Sequence, residues 1–108
     1  MFNLFKSTPT ISLEDIAKNV LLPNTSFIDV RTKEEYNSGH ANGAVNLPLQ
    51  TLSEKNATDL QKYESVYVIC QSGGRSAQAT SFLLSKGVKA INVPGGTSTW
   101  QAKGLPMA

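Results

Sequence analysis

The stretch Ser65 to Cys70, "SVYVIC", is the longest β-branched run in the chain. It constrains the fold more than any other segment, because a strand apolar on both faces must be covered on both faces. Other elements of secondary structure, layered on either side, supply that cover. Directly after it comes a glycine-containing turn, "QSGGRS", and then "RSAQATSFLLSKG". In this last segment Ala77, Thr80, Leu83 and Leu84 fall along one helical face, and Gly87 offers a left-handed stop.

The same alternation runs through the rest of the chain. "ISLEDIAKNVL" has helical spacing at Leu13, Ile16, Ala17 and Val20, with Ser12 placed to cap it and Pro23-Asn24 to end it. "SFIDV" reads as a strand, and Thr32 with Glu35 forms a capping-box pattern for a brief helix in "TKEEY". Ala44 to Leu47 is a small strand stopped by Pro48, "TLSEKNATDLQKY" is a weakly amphipathic helix or a loop, and "VKAINV" is a strand. "PGGTSTWQAKGLP" reads as a turn with a single helical turn around Trp100. Strands alternating with helices predict an α/β fold: a central, mostly parallel sheet with helices on both faces and right-handed crossovers. Ligands of such sheets sit at the carboxyl ends of the strands, and Cys70 ends the central run.

A chain of 108 residues is sized for one domain, which we place over residues 11–108 after an N-terminal extension over 1–10. Its 40% hydrophobic and 17% charged fractions are those of an ordinary globule. The net charge is +2 and the Lys and Arg residues are scattered, so no nucleic-acid partner is expected. No window approaches a membrane span, and "MFNLFKSTP" is too short an apolar run for a signal-peptide core. We therefore expect a cytoplasmic protein that does not engage a membrane, as a monomer or a weak dimer. A single cysteine excludes an internal disulfide, fits a reducing compartment and leaves no resolving partner in the chain.

That cysteine is either a small hydrophobe ending a buried strand or a nucleophile. A free thiol is mostly protonated at neutral pH, so a nucleophilic role requires something to lower its pKa. A helix beginning near Arg75 or Ser76 points its first N–H groups toward the sulfur. Gly73 and Gly74 allow the loop to curl around one atom, and Arg75 adds a fixed positive charge. These neighbours favour the nucleophile, with its sulfur buried at the root and open to donors at the tip. The other candidates are read as structural: His40 as a hydrogen-bonding group in a turn, Asp29 as an acceptor for the Arg31 neighbourhood, and Trp100 and Phe82 as core. Lys33 to Glu35 read as a solvated helix face, and Tyr36 as a side chain able to cover the cleft.

"FIDVRTKEEYNSGHANGAVNLP", "VYVICQSGGRS" and "VPGGTSTWQAKGLP", in that order, resemble the rhodanese-like sulfurtransferases, in the form of a free-standing single domain. The resemblance runs from about Ile11 to Pro106 and implies a rhodanese-like fold. It implies that Cys70 carries sulfur as a persulfide, and that Gln71, Ser72, Gly73, Gly74, Arg75 and Ser76 form the loop that binds substrate. It implies an architectural role for the segments around Asp29 to Arg31, Gly39 to Ala44, Gly95-Gly96 and Trp100. The donor would be thiosulfate, a polysulfide or a persulfide, and the acceptor cyanide, a small thiol or a protein thiol, with no metal or organic cofactor. Ala41 stands where the family usually has a branched aliphatic residue, which is expected to loosen local packing. Gln71 and Ser72 are neutral where thiosulfate-preferring members often carry basic residues.

Two other functions fit parts of the pattern. Cysteine phosphatases and arsenate reductases use a similar loop, but with one more residue between cysteine and arginine than the Gln71 to Gly74 interval holds. The tighter loop suits a single sulfur better than a tetrahedral oxyanion. A non-catalytic binding or regulatory module is the second alternative, since a fold does not fix a function.

Overall fold

The computed structural model describes residues 11–108, so the extension read over 1–10 lies outside the described residues. The elements are α1 (Leu13–Asn19), β1 (Thr25–Asp29), α2 (Lys33–Asn37), β2 (Val45–Asn46), a 3-10 turn (Leu49–Thr51), α3 (Glu54–Leu60), β3 (Ser65–Ile69), α4 (Gly74–Ser85), β4 (Ala90–Asn92) and α5 (Gly96–Ala102). The four strands lie in the order β2-β1-β3-β4, and every adjacent pair is parallel. The expected α/β architecture is therefore the one observed.

The two faces of β3 separate the two halves of the core, because successive side chains of a strand point to opposite sides. Val66, Val68 and Cys70 join Ile28 and Val30 under Ala57 and Leu60 of α3 and Ala79 and Leu83 of α4. Tyr67 and Ile69 join Phe27 under Leu13 and Ile16 of α1 and Trp100 of α5. The Phe27 and Trp100 rings meet at 5.6 Å, and the Trp100 Nε1–H donates to the Pro106 carbonyl at 2.8 Å. Ala41 is fully buried in this second half and bridges to Met107, so its small side chain is packed closely and the expected loosening is not observed.

Capping chemistry marks the helix starts as the sequence suggested. Ser12 Oγ accepts from the Asp15 amide at 3.1 Å, and Thr32 and Glu35 form a reciprocal capping box. The ambiguous segment after Thr51 is a helix, α3, closed by a second box between Ser53 and Asn56. Two boundaries differ from the reading of the sequence. Helix α1 ends at Asn19, well before Pro23, and α4 begins at Gly74 with Gly73 as its cap at φ 111°.

The buried face of α4 also differs. It consists of Ser76, Ala79, Thr80 and Leu83, while Ala77 is exposed and Leu84 is 55% exposed. Of the expected stripe, Thr80 and Leu83 are buried. The helix is rotated so that the Ser76 hydroxyl turns inward to hydrogen-bond the Cys70 sulfur.

Gly96 lies at φ +63°, and a Cβ there would stand 2.5 Å from the Cys70 carbonyl oxygen and 2.6 Å from the Gln71 carbonyl carbon. Gly74, by contrast, is helical with nothing within 4 Å of a Cβ position. Gly96→Ala is expected to destabilise the fold by about 3 kcal/mol, from left-handed strain plus a backbone clash. Gly74→Ala is expected to stabilise it by roughly 0.5 kcal/mol. Urea denaturation of both variants checks the pair of signs.

Candidate active site

The site is assembled where β3 ends. The Ile69 carbonyl still accepts from the Val30 amide at 2.9 Å, so the chain enters the loop from a fixed position in the sheet. The next carbonyl, of Cys70, accepts from both the amide (2.8 Å) and the hydroxyl (3.0 Å) of Thr97, and the Gln71 carbonyl accepts from the Ser98 amide at 3.1 Å. These donors lie in the first turn of α5. Gly95 and Gly96, both in the left-handed region, bring that turn close enough to reach the loop backbone.

The Cys70 sulfur accepts from the Gly73 amide at 3.0 Å and from the Ser76 hydroxyl at 3.2 Å. Ser76 Oγ also lies 3.1 Å from the Gly73 carbonyl, so its one proton has two acceptors to choose between. Burial pushes the thiol pKa up. The Ser76 hydroxyl and the amides of Ser76, Gly73 and Ser72 oppose this, and the net pKa lies below the ordinary thiol value. The arrangement thus raises the thiolate fraction above that of an ordinary thiol, and the thiolate is the form that attacks sulfur or carbon electrophiles. Cys70 is only 1% exposed, so the sulfur is enclosed rather than open at its tip. It is packed with the core residues on one face of β3 and lies close to the Gly73 and Ser76 donors.

The other loop side chains take up different positions. Ser72 and Gly74 are exposed and Gly73 is half-buried. Gln71 spans two elements, accepting from Arg31 Nη1 at 3.2 Å and donating to Ser98 Oγ at 2.8 Å. Arg75 makes no hydrogen bond to the sulfur. Its two Nη groups donate to Glu35 Oε1 and Oε2 at 2.7 and 2.9 Å, although it stays within electrostatic reach of Cys70. Glu35, expected on a solvated face, is thereby part of the site. The Arg75 guanidinium and the Thr32 amide hold its pKa at about 2.

Asp29 and Arg31 form a buried pair, with Arg31 Nε at 3.0 Å from both carboxylate oxygens and Nη2 at 2.8 Å from Oδ2. Asp29 is thus an acceptor for Arg31, as expected, and Arg31 in turn reaches Gln71 and the Gly39 carbonyl. His40 Nδ1 lies 2.9 Å from the Tyr36 carbonyl, and the two rings stack at 3.7 Å. The Tyr36 hydroxyl donates to the Ala44 carbonyl, so this ring is tied to the turn rather than laid over the loop. Sequence reading missed Glu35, Arg31 and Ser98 as neighbours of the loop. The capping-box pattern gave Glu35 one role and concealed the second.

A concavity of about 380 Å³ is lined by Leu49, Gln50, Leu52, Gln78 and Phe82. It includes no residue of the Cys70 loop. Phe82, expected as core, is only partly buried and forms one wall of it. Among the described residues no group of three or more His, Cys, Asp or Glu side chains could hold a metal ion. No described helix is long and apolar enough to cross a membrane.

The rhodanese-like domain family model matches residues 12–103. The chain belongs to the rhodanese-like family. It is 39% identical over 103 residues to thiosulfate sulfurtransferase 16 of Arabidopsis thaliana, a chloroplastic protein, covering 84% of this chain and 86% of that one. It is 38% identical to the putative sulfur carrier protein YrkF of Bacillus subtilis, covering 90% of this chain but only 53% of that protein. Among solved structures, a rhodanese-related protein from Thermoplasma volcanium superposes with a TM-score of 0.80 at 30% identity, covering 94% of this chain and 98% of that one.

Two outcomes follow from the electrostatics. Ser76→Ala removes one donor from the sulfur, so the pH profile of Cys70 alkylation by iodoacetamide is expected to shift to higher pH, with the rate at neutral pH reduced. For Glu35, a folded pKa near 2 against an ordinary 4.5 means that its contribution to stability is complete above pH 4.5 and is lost as pH falls toward 2. In Glu35→Gln the acid limb of Tm against pH is expected to be shallower than in the wild type.

Proposed function

We propose that this rhodanese-family domain is a sulfurtransferase that carries a sulfane sulfur on Cys70. The observation that carries the reading is the pair of donors, the Gly73 N–H and the Ser76 hydroxyl, on a sulfur whose pKa is lowered. The thiosulfate sulfurtransferase and sulfur carrier names of the relatives support the same reaction class.

In the first half-reaction the Cys70 thiolate attacks the outer sulfur of a donor. With thiosulfate, the S–S bond of the donor breaks as the Cys70 S–S bond forms, and sulfite leaves with the bonding pair. With a thiol-borne persulfide, the leaving group is the parent thiolate. In the second half-reaction an acceptor nucleophile attacks the outer sulfur of the Cys70 persulfide and returns the thiolate, giving thiocyanate from cyanide or a new persulfide from a thiolate. Negative charge remains on sulfur throughout, where fixed donors stabilise it without reorganising. Group transfer through a covalent intermediate gives ping-pong kinetics.

With no second cysteine in the sequence, the acceptor comes from outside these 108 residues. The sulfur carrier relative supports a protein thiolate in that role. Because Cys70 is enclosed, loading requires the loop to yield, and Gly73, the cap before α4 at φ 111°, is the residue whose backbone is least restricted there.

Intact mass after incubation with thiosulfate or a polysulfide, without reductant, is expected to show a gain of one sulfur atom in the wild type and none in Cys70→Ser. A wild type left unmodified by every sulfane donor would return the domain to a binding role. Turnover of an aryl phosphate would instead establish phosphatase chemistry.

A further inference from the structure

Arg75 is the only charged residue between Gln71 and Ser76, and its charge is matched before any substrate arrives. Both of its Nη groups are engaged by the two oxygens of Glu35, in a fork-to-fork geometry that fixes direction as well as distance. Glu35 itself is held on a second side, since its Oε1 accepts from the Thr32 amide at 3.0 Å and the Thr32 hydroxyl at 3.2 Å. With its pKa at about 2 it remains ionised at any ordinary pH. The other guanidinium that reaches the loop, Arg31 on Gln71, is paired in the same way with Asp29. Among the described residues the loop is therefore served by two guanidinium groups, each with its own carboxylate, and by the neutral Gln71 and Ser72.

Thiosulfate carries two negative charges, whereas the sulfane end of a thiol-borne persulfide carries at most one. A loop whose cations are already neutralised gives the dianion little advantage and must also accommodate its charge beside a thiolate. We propose that Glu35 sets the donor preference of this site: by neutralising Arg75 it selects a thiol-borne persulfide over the thiosulfate dianion. Glu35 acts through Arg75 and touches no reacting atom, so it is a specificity-determining, positioning residue. The proposal rests on the sulfurtransferase reading above and narrows its donor class.

Glu35→Gln tests it, because glutamine can still serve the capping box. The measured quantity is the ratio of kcat/KM for thiosulfate to kcat/KM for the persulfide of β-mercaptoethanol. Freeing one positive charge beside a dianion is expected to raise that ratio roughly tenfold at low ionic strength, with the gain shrinking as salt is added. The gain should disappear in Glu35→Gln/Arg75→Gln. A ratio that stays level or falls in Glu35→Gln, or a rise that survives loss of Arg75, overturns the proposal.

Anion binding gives a reading independent of turnover. In the Cys70→Ser background, thiosulfate titrated by calorimetry is expected to bind roughly tenfold more tightly when Glu35 is also Gln, and equal affinity overturns the proposal. If the wild type accepts sulfur from no donor, the sulfurtransferase reading fails while this titration still decides the role of Glu35. The wild type alone supplies a check that requires no folded variant: its kcat/KM for thiosulfate should change little with ionic strength, and a steep fall would show an unmatched cation at the loop.

Discussion

The carbonyl oxygen of Cys70 is held from the far end of the chain by the amide and hydroxyl of Thr97, and the site depends on that contact. It fixes the peptide that carries the Cys70 sulfur and holds the first turn of α5 against the loop. Such proximity is open only to a residue without a side chain at position 96, where any Cβ would enter the Cys70–Gln71 backbone. The glycine pair near the C-terminal end and the cysteine in the middle of the sequence are therefore one structural unit. The sheet brings them together because β3 and β4 are adjacent and parallel, so the loops after both strands leave from the same edge.

Once the backbone is fixed, two opposing effects set the state of the sulfur. Enclosure in the core favours the neutral thiol, while hydrogen bonds from Gly73 and Ser76 favour the anion, and the net effect is a lowered pKa. The first effect comes from the core residues packed around Cys70, the second from the loop and helix that follow it.

Much of this was legible in the sequence, for definable reasons. The burial of Val66 to Ile69 followed from their unbroken apolar character, and the parallel sheet followed from alternation with helices. Cys70 could be singled out because a strand, a glycine turn and a helix meet there. What the sequence obscured was direction. Arg75 sits in the loop by number, yet its guanidinium is turned to Glu35, forty positions away along the chain. Glu35 was recognisable as a capping residue, and a residue with one visible local role gives no sign of a long-range one. The rotation of α4 was hidden for a similar reason: hydrophobic spacing alone favoured Ala77 and Leu84, whereas a polar residue, Ser76, takes the buried position. Pro23 was a plausible helix terminator, but α1 had already ended at Asn19.

The inward rotation of α4 ties the chemistry to the packing of the domain. Ser76, Ala79, Thr80 and Leu83 form one buried stripe, so the hydroxyl that serves the sulfur and the leucine that fills the core sit on the same rigid rod. With 3.6 residues to each turn, any change that rolls the rod to refit Leu83 also swings Ser76 off the sulfur. The hydrogen bond to the Cys70 sulfur is therefore coupled to the packing of Leu83, two helical turns along from Ser76.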